Sequence, residues 1–249
     1  MSLIAAPLPF ATQETERAYD PVLRWLIFSG VSAFAAVALW RYGLIRLVVV
    51  SDRTRITSVI ALVYVAASLH SLARAVAISR EAAGLARLKQ DLAALSDPVA
   101  MAARLPRGLF GEHLGDLLAK GAARGAGRLD QTLLLRALSE RLRRGLTLGG
   151  LAADTVIKLG LLGTIVGFIL MLGPVAGLDA EDEASVRASM AVMSVGMSVA
   201  MYTTLAGLIG SILLRAQYFM LEAATASAFW ELARLAETRV IPVLERRHV

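Results

Sequence analysis

The sequence predicts an all-α, polytopic membrane protein with four transmembrane helices, and three observations carry that prediction. The chain is 57% hydrophobic and 18% charged, with a mean hydropathy of +0.62, well above ordinary soluble usage. Its apolar residues are gathered into four blocks without Asp, Glu, Lys or Arg, at 25–40, 56–73, 159–178 and 188–214. An α-helix rises about 1.5 Å per residue, so about 20 residues cross a hydrocarbon core of roughly 30 Å. Third, basic residues crowd the segments beside these blocks, as loops on the cytoplasmic face of a membrane require. That placement accounts for the net charge of +6 without a nucleic-acid partner, for which the sequence carries no motif.

Residues 1–24 are expected to form a retained, partly disordered N-terminal arm. They hold Glu14, Glu16 and Asp20 and lack the basic start and immediate apolar run of a signal peptide. The first two spans and their connection occupy 25–79. Block 25–40 is short, but Trp25, Trp40 and Tyr42 mark its ends as an aromatic belt would. Arg24 and Arg41 then snorkel to the interface. The basic connection follows, with 43–50 suited to lie along the membrane surface. Block 56–73 is the second span. His70 falls near its end, beside Arg74, and reads as a hydrated boundary residue.

Residues 80–154 form a helical cytoplasmic domain between spans 2 and 3. They carry twelve basic and eight acidic side chains, a net of +4. Leu85, Leu88, Leu92 and Leu95 make a helical stripe that Asp97-Pro98 ends. Leu133, Leu134, Leu138 and Leu142 make a second helix over 129–146. The glycine-rich run 121–127 between them is a loop. It lacks the Lys-Ser/Thr ending of a phosphate-binding loop. The transmembrane hairpin occupies 155–214, and residues 215–249 form a C-terminal helical extension of the last span, with Pro242 marking a late kink or end.

Charge sets the orientation. The turn between spans 3 and 4 carries Asp179, Glu181, Asp182 and Glu183 against Arg187, so it lies outside, with 80–154 and the C-terminus in the cytoplasm. Four spans then put the arginine-rich segment 41–55 outside, against the same rule. The larger loop and the acidic turn outweigh it. The alternative is three spans with the N-terminus outside.

The hairpin holds the chemistry. Gly160, Thr164, Gly167 and Met171 share one face of span 3, with Gly163 beside them. Met193, Met197, Ala200, Thr204, Gly207 and Ser211 share one face of span 4. Small residues let backbones approach in lipid, and hydroxyls bond across helices or back to their own. Spacing alone favours simple helix packing over an ion path. Lys158, just before span 3, is an interfacial anchor.

The residues 160–167, GLLGTIVG, resemble the GLLGTxxG signature of the MotA/TolQ/ExbB proton-channel family. Residues 201–208, MYTTLAGL, resemble the Thr-x-x-Gly-Leu pattern of that family's last span. The ordered pair, over roughly 156–214, is what makes the resemblance specific. It implies an ion-channel (stator) subunit of a proton- or sodium-driven motor in the bacterial inner membrane. It further implies a pentamer of this chain around a dimer of a single-span MotB/TolR/ExbD-like partner bearing a membrane aspartate. Thr164 and Thr204 match the family threonines and line the ion pathway, with Thr203 an ambiguity beside Thr204. Gly160, Gly163, Gly167 and Gly207 match packing positions, and Met197, Ala200 and Ser211 face a helix or partner. Some ExbB-like members carry a glutamate five residues before the second threonine, where this chain has Val199.

The residue inventory narrows the classes. The chain has no cysteine and three scattered histidines, His70, His113 and His248, so no thiolate or clustered-histidine metal site is expected. No nucleophile–base pair or carboxylate dyad suggests an enzyme. No cofactor is expected beyond the transported ion, H⁺ or Na⁺. The remaining alternative is a non-conducting polytopic scaffold that packs against a partner helix.

Overall fold

The computed structural model describes residues 9–43, 54–92, 104–124, 129–174 and 182–246. All regular structure among them is helical: α1 (Pro9–Arg41), α2 (Ile56–Leu92), α3 (Leu109–Arg124), α4 (Thr132–Leu172), α5 (Glu183–Leu235), a π turn (Ala236–Val240) and α6 (Ile241–Arg246). Four of these helices, α1, α2, α4 and α5, are long and apolar enough to cross a membrane. The all-α polytopic architecture is therefore as the sequence predicts.

The element boundaries differ from expectation in an instructive way. The arm is helical from Pro9 onward and continuous with the first span. Proline suits a first helical position, where its missing N–H costs nothing. The first apolar window is Val22–Arg41, so Arg24 lies within it rather than before it. Gly43, at φ +79°, ends α1 by donating its N–H to Trp40 O at 2.9 Å, as left-handed glycine does at helix ends. The surface segment expected at 43–50 lies outside the described residues beyond Gly43, as does Asp97-Pro98.

The second span and the stripe through Leu85 and Leu88 are one 37-residue helix. Likewise the expected helix 129–146 and span 3 are one helix of 41 residues. It starts at Thr132 because Asp130 caps it, accepting from Thr132 N–H at 2.9 Å. It ends at Leu172, short of 178, because Gly173 and Pro174 follow. Asp182 caps α5 through the amides of Ala184 and Ser185, at 3.0 and 3.3 Å. The expected loop at 121–127 is helical through Arg124; the rest of that run is not among the described residues.

The chain divides into two compact units. One holds residues 27–71 and 147–219. It contains most of the first span, the N-terminal part of α2, the C-terminal part of α4 and the N-terminal part of α5, around a small core of Ile60, Ala67, Ala153, Val156 and Leu214. Large apolar side chains point outward here, among them Leu62, Ile165, Phe168, Met201 and Leu205, which is how a bundle meets lipid or a neighbouring apolar surface.

The other unit holds residues 1–26, 72–146 and 220–249. Its core is leucine-rich: Leu85, Leu88, Phe110, Leu114, Leu117, Leu138, Leu142, Leu232 and Leu244 are all buried. Helix α3 packs into it and owes its start to another helix. The Glu81 carboxylate of α2 accepts from the amides of Leu109 and Phe110, at 2.8 and 3.2 Å. At the far end the π turn passes the Ile241 N–H to Ala236 O, just before Pro242.

Candidate functional site

The α4–α5 contact in the first unit is built by glycines. A methyl placed on Gly167 would lie 2.7 Å from Gly196 O, and one on Gly196 would lie 2.6 Å from Met171 N. A methyl on Gly160 would lie 3.1 Å from the Gly207 Cα. These are backbone-to-backbone approaches that no side chain leaves room for. Gly163 is closed by the Thr203 side chain, whose Oγ1 would sit 2.2 Å from an added methyl.

Into this contact two hydroxyls are brought together. Thr164 Oγ1 and Thr204 Oγ1 are 2.5 Å apart. Thr164 Oγ1 also reaches Gly160 O at 3.2 Å, and Thr204 Oγ1 reaches Ala200 O at 2.9 Å. A hydroxyl has one proton and two lone pairs. One threonine therefore donates to the other, which donates to a helix carbonyl, and accepting capacity is left over. Both side chains are half-buried, so that capacity is reachable from the rim of the contact.

The structure separates the two adjacent threonines. Thr203 is fully buried and donates to Val199 O at 2.8 Å; it fills the space over Gly163. Thr204 faces Thr164. Of the other residues singled out in sequence, Gly160, Gly163, Gly167, Ala200 and Gly207 lie in the α4–α5 contact, and Ser211 is buried on α5. Met197 does not join them: its side chain is 53% exposed. Val199, 1% exposed, is an interior apolar residue. Lys158 is exposed.

Sequence reasoning counted Gly196 among the small residues of span 4 but gave it no place on the shared face, and it passed over a second feature. Gly196 stands in the tightest part of the contact, and its spacing to Ala200 was the available signal. The second feature is a polar cluster on α2 and α5. His70 Nδ1 lies 2.8 Å from Tyr218 Oη, and that hydroxyl donates to Ala67 O at 3.1 Å. Ser68 Oγ donates to Gln217 Oε1 at 2.7 Å, while Gln217 Nε2 donates to Ser29 Oγ of α1 at 3.3 Å. His70 is thus engaged with a partner helix and is more than a hydrated boundary residue.

The model of the MotA/TolQ/ExbB proton channel family matches residues 114–231. That match, over just under half of the chain, supports its assignment to the MotA/TolQ/ExbB proton channel family. The match takes in the whole glycine–threonine contact and most of α5. No curated protein and no solved structure matches the chain. With that match and four candidate spans, the chain is a multi-pass membrane protein similar to the proton-channel-type subunits of energy-transducing complexes. The family is a channel family rather than an enzyme family.

Proposed function

We propose that this chain is the ion-channel (stator) subunit of a proton- or sodium-driven membrane motor. The observation that carries the reading is the Thr164–Thr204 hydroxyl pair inside the glycine contact, within the matched segment. Neither block 159–178 nor 188–214 contains Asp, Glu, Lys, Arg or His. An ion path through a bilayer needs a titratable group, because bare charge there is costly. The threonine pair supplies hydroxyls to hydrate or orient a carboxylate, and another chain supplies the carboxylate. The fitting partner is a single-span protein with a membrane aspartate, of the MotB/TolR/ExbD kind, held as a dimer within a pentamer of this chain.

In this reading the exposed apolar faces of α4 and α5 meet lipid, neighbouring copies and the partner helix. The loop region 80–154 and the C-terminus lie in the cytoplasm of a bacterial inner membrane, and ion flow drives mechanical work. Two measurements test the reading. Native mass spectrometry with a co-expressed single-span protein should give five copies around two. Ion flux in vesicles bearing that complex should be lost in Thr204→Val and strongly reduced in Thr164→Val. Full flux in the double variant, or a chain that ignores such a partner, would leave the contact as packing and favour the non-conducting scaffold.

A further inference from the structure

The hydrogen bonds of the Thr164–Thr204 pair leave an imbalance. One hydroxyl proton lies between the two threonines, and the other goes to a helix carbonyl, Gly160 O or Ala200 O. Both protons are committed, while most of the lone pairs are not. In the single chain the pair therefore accepts only, and it calls for a donor from outside. Exposed apolar side chains flank it three residues before and four after each threonine: Leu161 and Phe168 on α4, Met201 and Leu208 on α5.

Two residues away stands an unused donor. The half-buried Tyr202 side chain makes no hydrogen bond among the described residues. Serine on the same face solves this locally: Ser198 Oγ donates to Ser194 O, one turn back, at 2.9 Å. A phenol cannot, because its ring holds the hydroxyl away from its own backbone. Tyr202 is the fifteenth of the 27 residues of block 188–214, which is mid-bilayer rather than the interface where tyrosines form belts. Lipid tails offer no acceptor at that depth. Val195, Leu205 and Ile209, all exposed, share its face, and a tyrosine set in apolar surface is the usual anchor of a protein interface.

Donor and acceptor lie at one depth and on opposite sides. Helical residues turn by about 100° and rise about 1.5 Å, so Tyr202 and Thr204 are about 160° apart around α5 and about 3 Å apart along it. Copies inserted in the same direction are related by rotation about the membrane normal, which leaves every residue at its own depth. A donor on one side and an acceptor on the other then make a head-to-tail contact, which repeats and closes into a ring. An ionised carboxylate would accept from the phenol but has no proton for the threonines. A second copy satisfies both ends.

We propose that Tyr202 of one copy donates to the Thr164–Thr204 pair of the next, so that the hydroxyl site is completed between subunits. The occupant of both faces is a second copy of this chain. A bond accepted from Tyr202 makes the threonines' own protons stronger donors, as orienting a carboxylate in the ion path requires. In that respect the inference rests on the channel reading above, whereas the contact itself does not depend on conduction.

The test places photoreactive benzoyl-phenylalanine at position 202 of the full chain, co-expressed in membranes with its single-span partner. Irradiation should give covalent dimers of this chain, with the adduct on the second copy close to Thr164 or Thr204. Adducts on lipid or on the single-span protein, with none between copies, overturn the proposal. Should that variant fail to assemble, Tyr202→Phe decides, because it keeps the ring and loses only the donor. Association between copies should weaken roughly three- to tenfold, the worth of one hydrogen bond between membrane helices. In a Thr164→Val, Thr204→Val background the same change should cost nothing further. Association as tight as wild type, or the same loss again in that background, overturns the proposal. Ion flux separates the two readings. Cross-linking as expected in a complex that conducts nothing keeps the contact and sinks the channel, and full conduction with lipid adducts alone does the reverse.

Discussion

The two units of the chain hold helices together by different means. Between α4 and α5, around Gly160, Gly167, Gly196 and Gly207, backbone meets backbone and the side chains are methyls and hydroxyls. Around Leu85, Phe110, Leu117 and Leu232, side chain meets side chain, and charge sits at the margins in pairs such as Arg141–Glu112 at 3.0 Å. The difference follows from the medium each contact suits. Lipid tails are as apolar as leucine, so burying leucine in lipid gains little, and close approach with shared hydroxyls has to hold the helices. Water drives leucine burial directly. One contact is limited by space, the other by apolar area.

Space should be the harsher limit. At Gly196 the obstructing atoms are Met171 N and Gly167 O, both backbone, at 2.6 and 2.7 Å from an added methyl. Gly196→Ala is therefore expected to cost about 4 kcal/mol or more, at the far end of what single substitutions do. Folded yield and thermal unfolding in detergent measure it. Gly30→Ala on α1, where an added methyl meets nothing within 4 Å, should leave both unchanged. In the leucine core the matching change is Leu232→Ala at a fully buried site. The expected loss is about 2–5 kcal/mol, from lost burial and the cavity left behind. If the two glycine variants behave alike, the α4–α5 contact is looser than its geometry says, and the contrast between the units fails.

The same contrast explains what the sequence made legible. The α4–α5 contact could be read because uncharged blocks with glycine and threonine at helical spacing have few other uses. Which of Thr203 and Thr204 faces Thr164 could not be read, since adjacent residues differ by only about 100° and the helix rotation comes from Thr203 seating over Gly163. The long helices were divided at changes of polarity, near residues 73–80 and 146–159. Polarity reports the medium, whereas helices end at caps, glycine and proline, and none of these stops α2 or α4 there. Helix α3 was missed altogether. Gly111, Gly115 and Gly121 weaken its local signal, and its cap comes from Glu81, 28 residues upstream. The His70–Tyr218 pair joins residues 148 apart, beyond the reach of any local pattern.

That distant cap is the next way to sharpen the comparison. Glu81 satisfies two orphan amides at once and sets a negative charge at the start of α3. Gly108, at φ +130°, has no room for a side chain beneath it. Glu81→Ala should destabilise the unit by about 1–2 kcal/mol. Hydrogen exchange should speed up at Leu109 and Phe110 before it does elsewhere in α3. Uniform exchange across α3 would mean that leucine packing alone starts the helix.

The smallest effect expected is also the most diagnostic, because it concerns polar atoms inside the apolar core. His113 Nε2 and Gln131 Oε1 are buried without a hydrogen-bond partner, whereas Gln131 Nε2 donates to Glu237 at 2.6 Å. Burial pushes the His113 imidazole below its ordinary value of 6.5; the Gln131 side chain and the Asp116 charge act the other way and do not prevail. Above pH 6.5 the ring is neutral folded and unfolded alike, and contributes no pH dependence. As pH falls through 6.5 the unfolded chain takes up a proton that the folded chain refuses, so stability falls until the lower folded value is reached. One group can supply at most about 1.4 kcal/mol per pH unit. Thermal unfolding between pH 8 and 5 should show this acid-side slope, and His113→Gln should flatten it even if its stability at pH 8 is lower. Thr164→Val should leave the slope as it is, since a threonine hydroxyl carries no charge to lose or gain in this range. If His113→Gln keeps the wild-type slope, the folded protein protonates His113 as readily as the unfolded chain does. The acid sensitivity then belongs to other groups, and the leucine core tolerates charge where its packing says it should not.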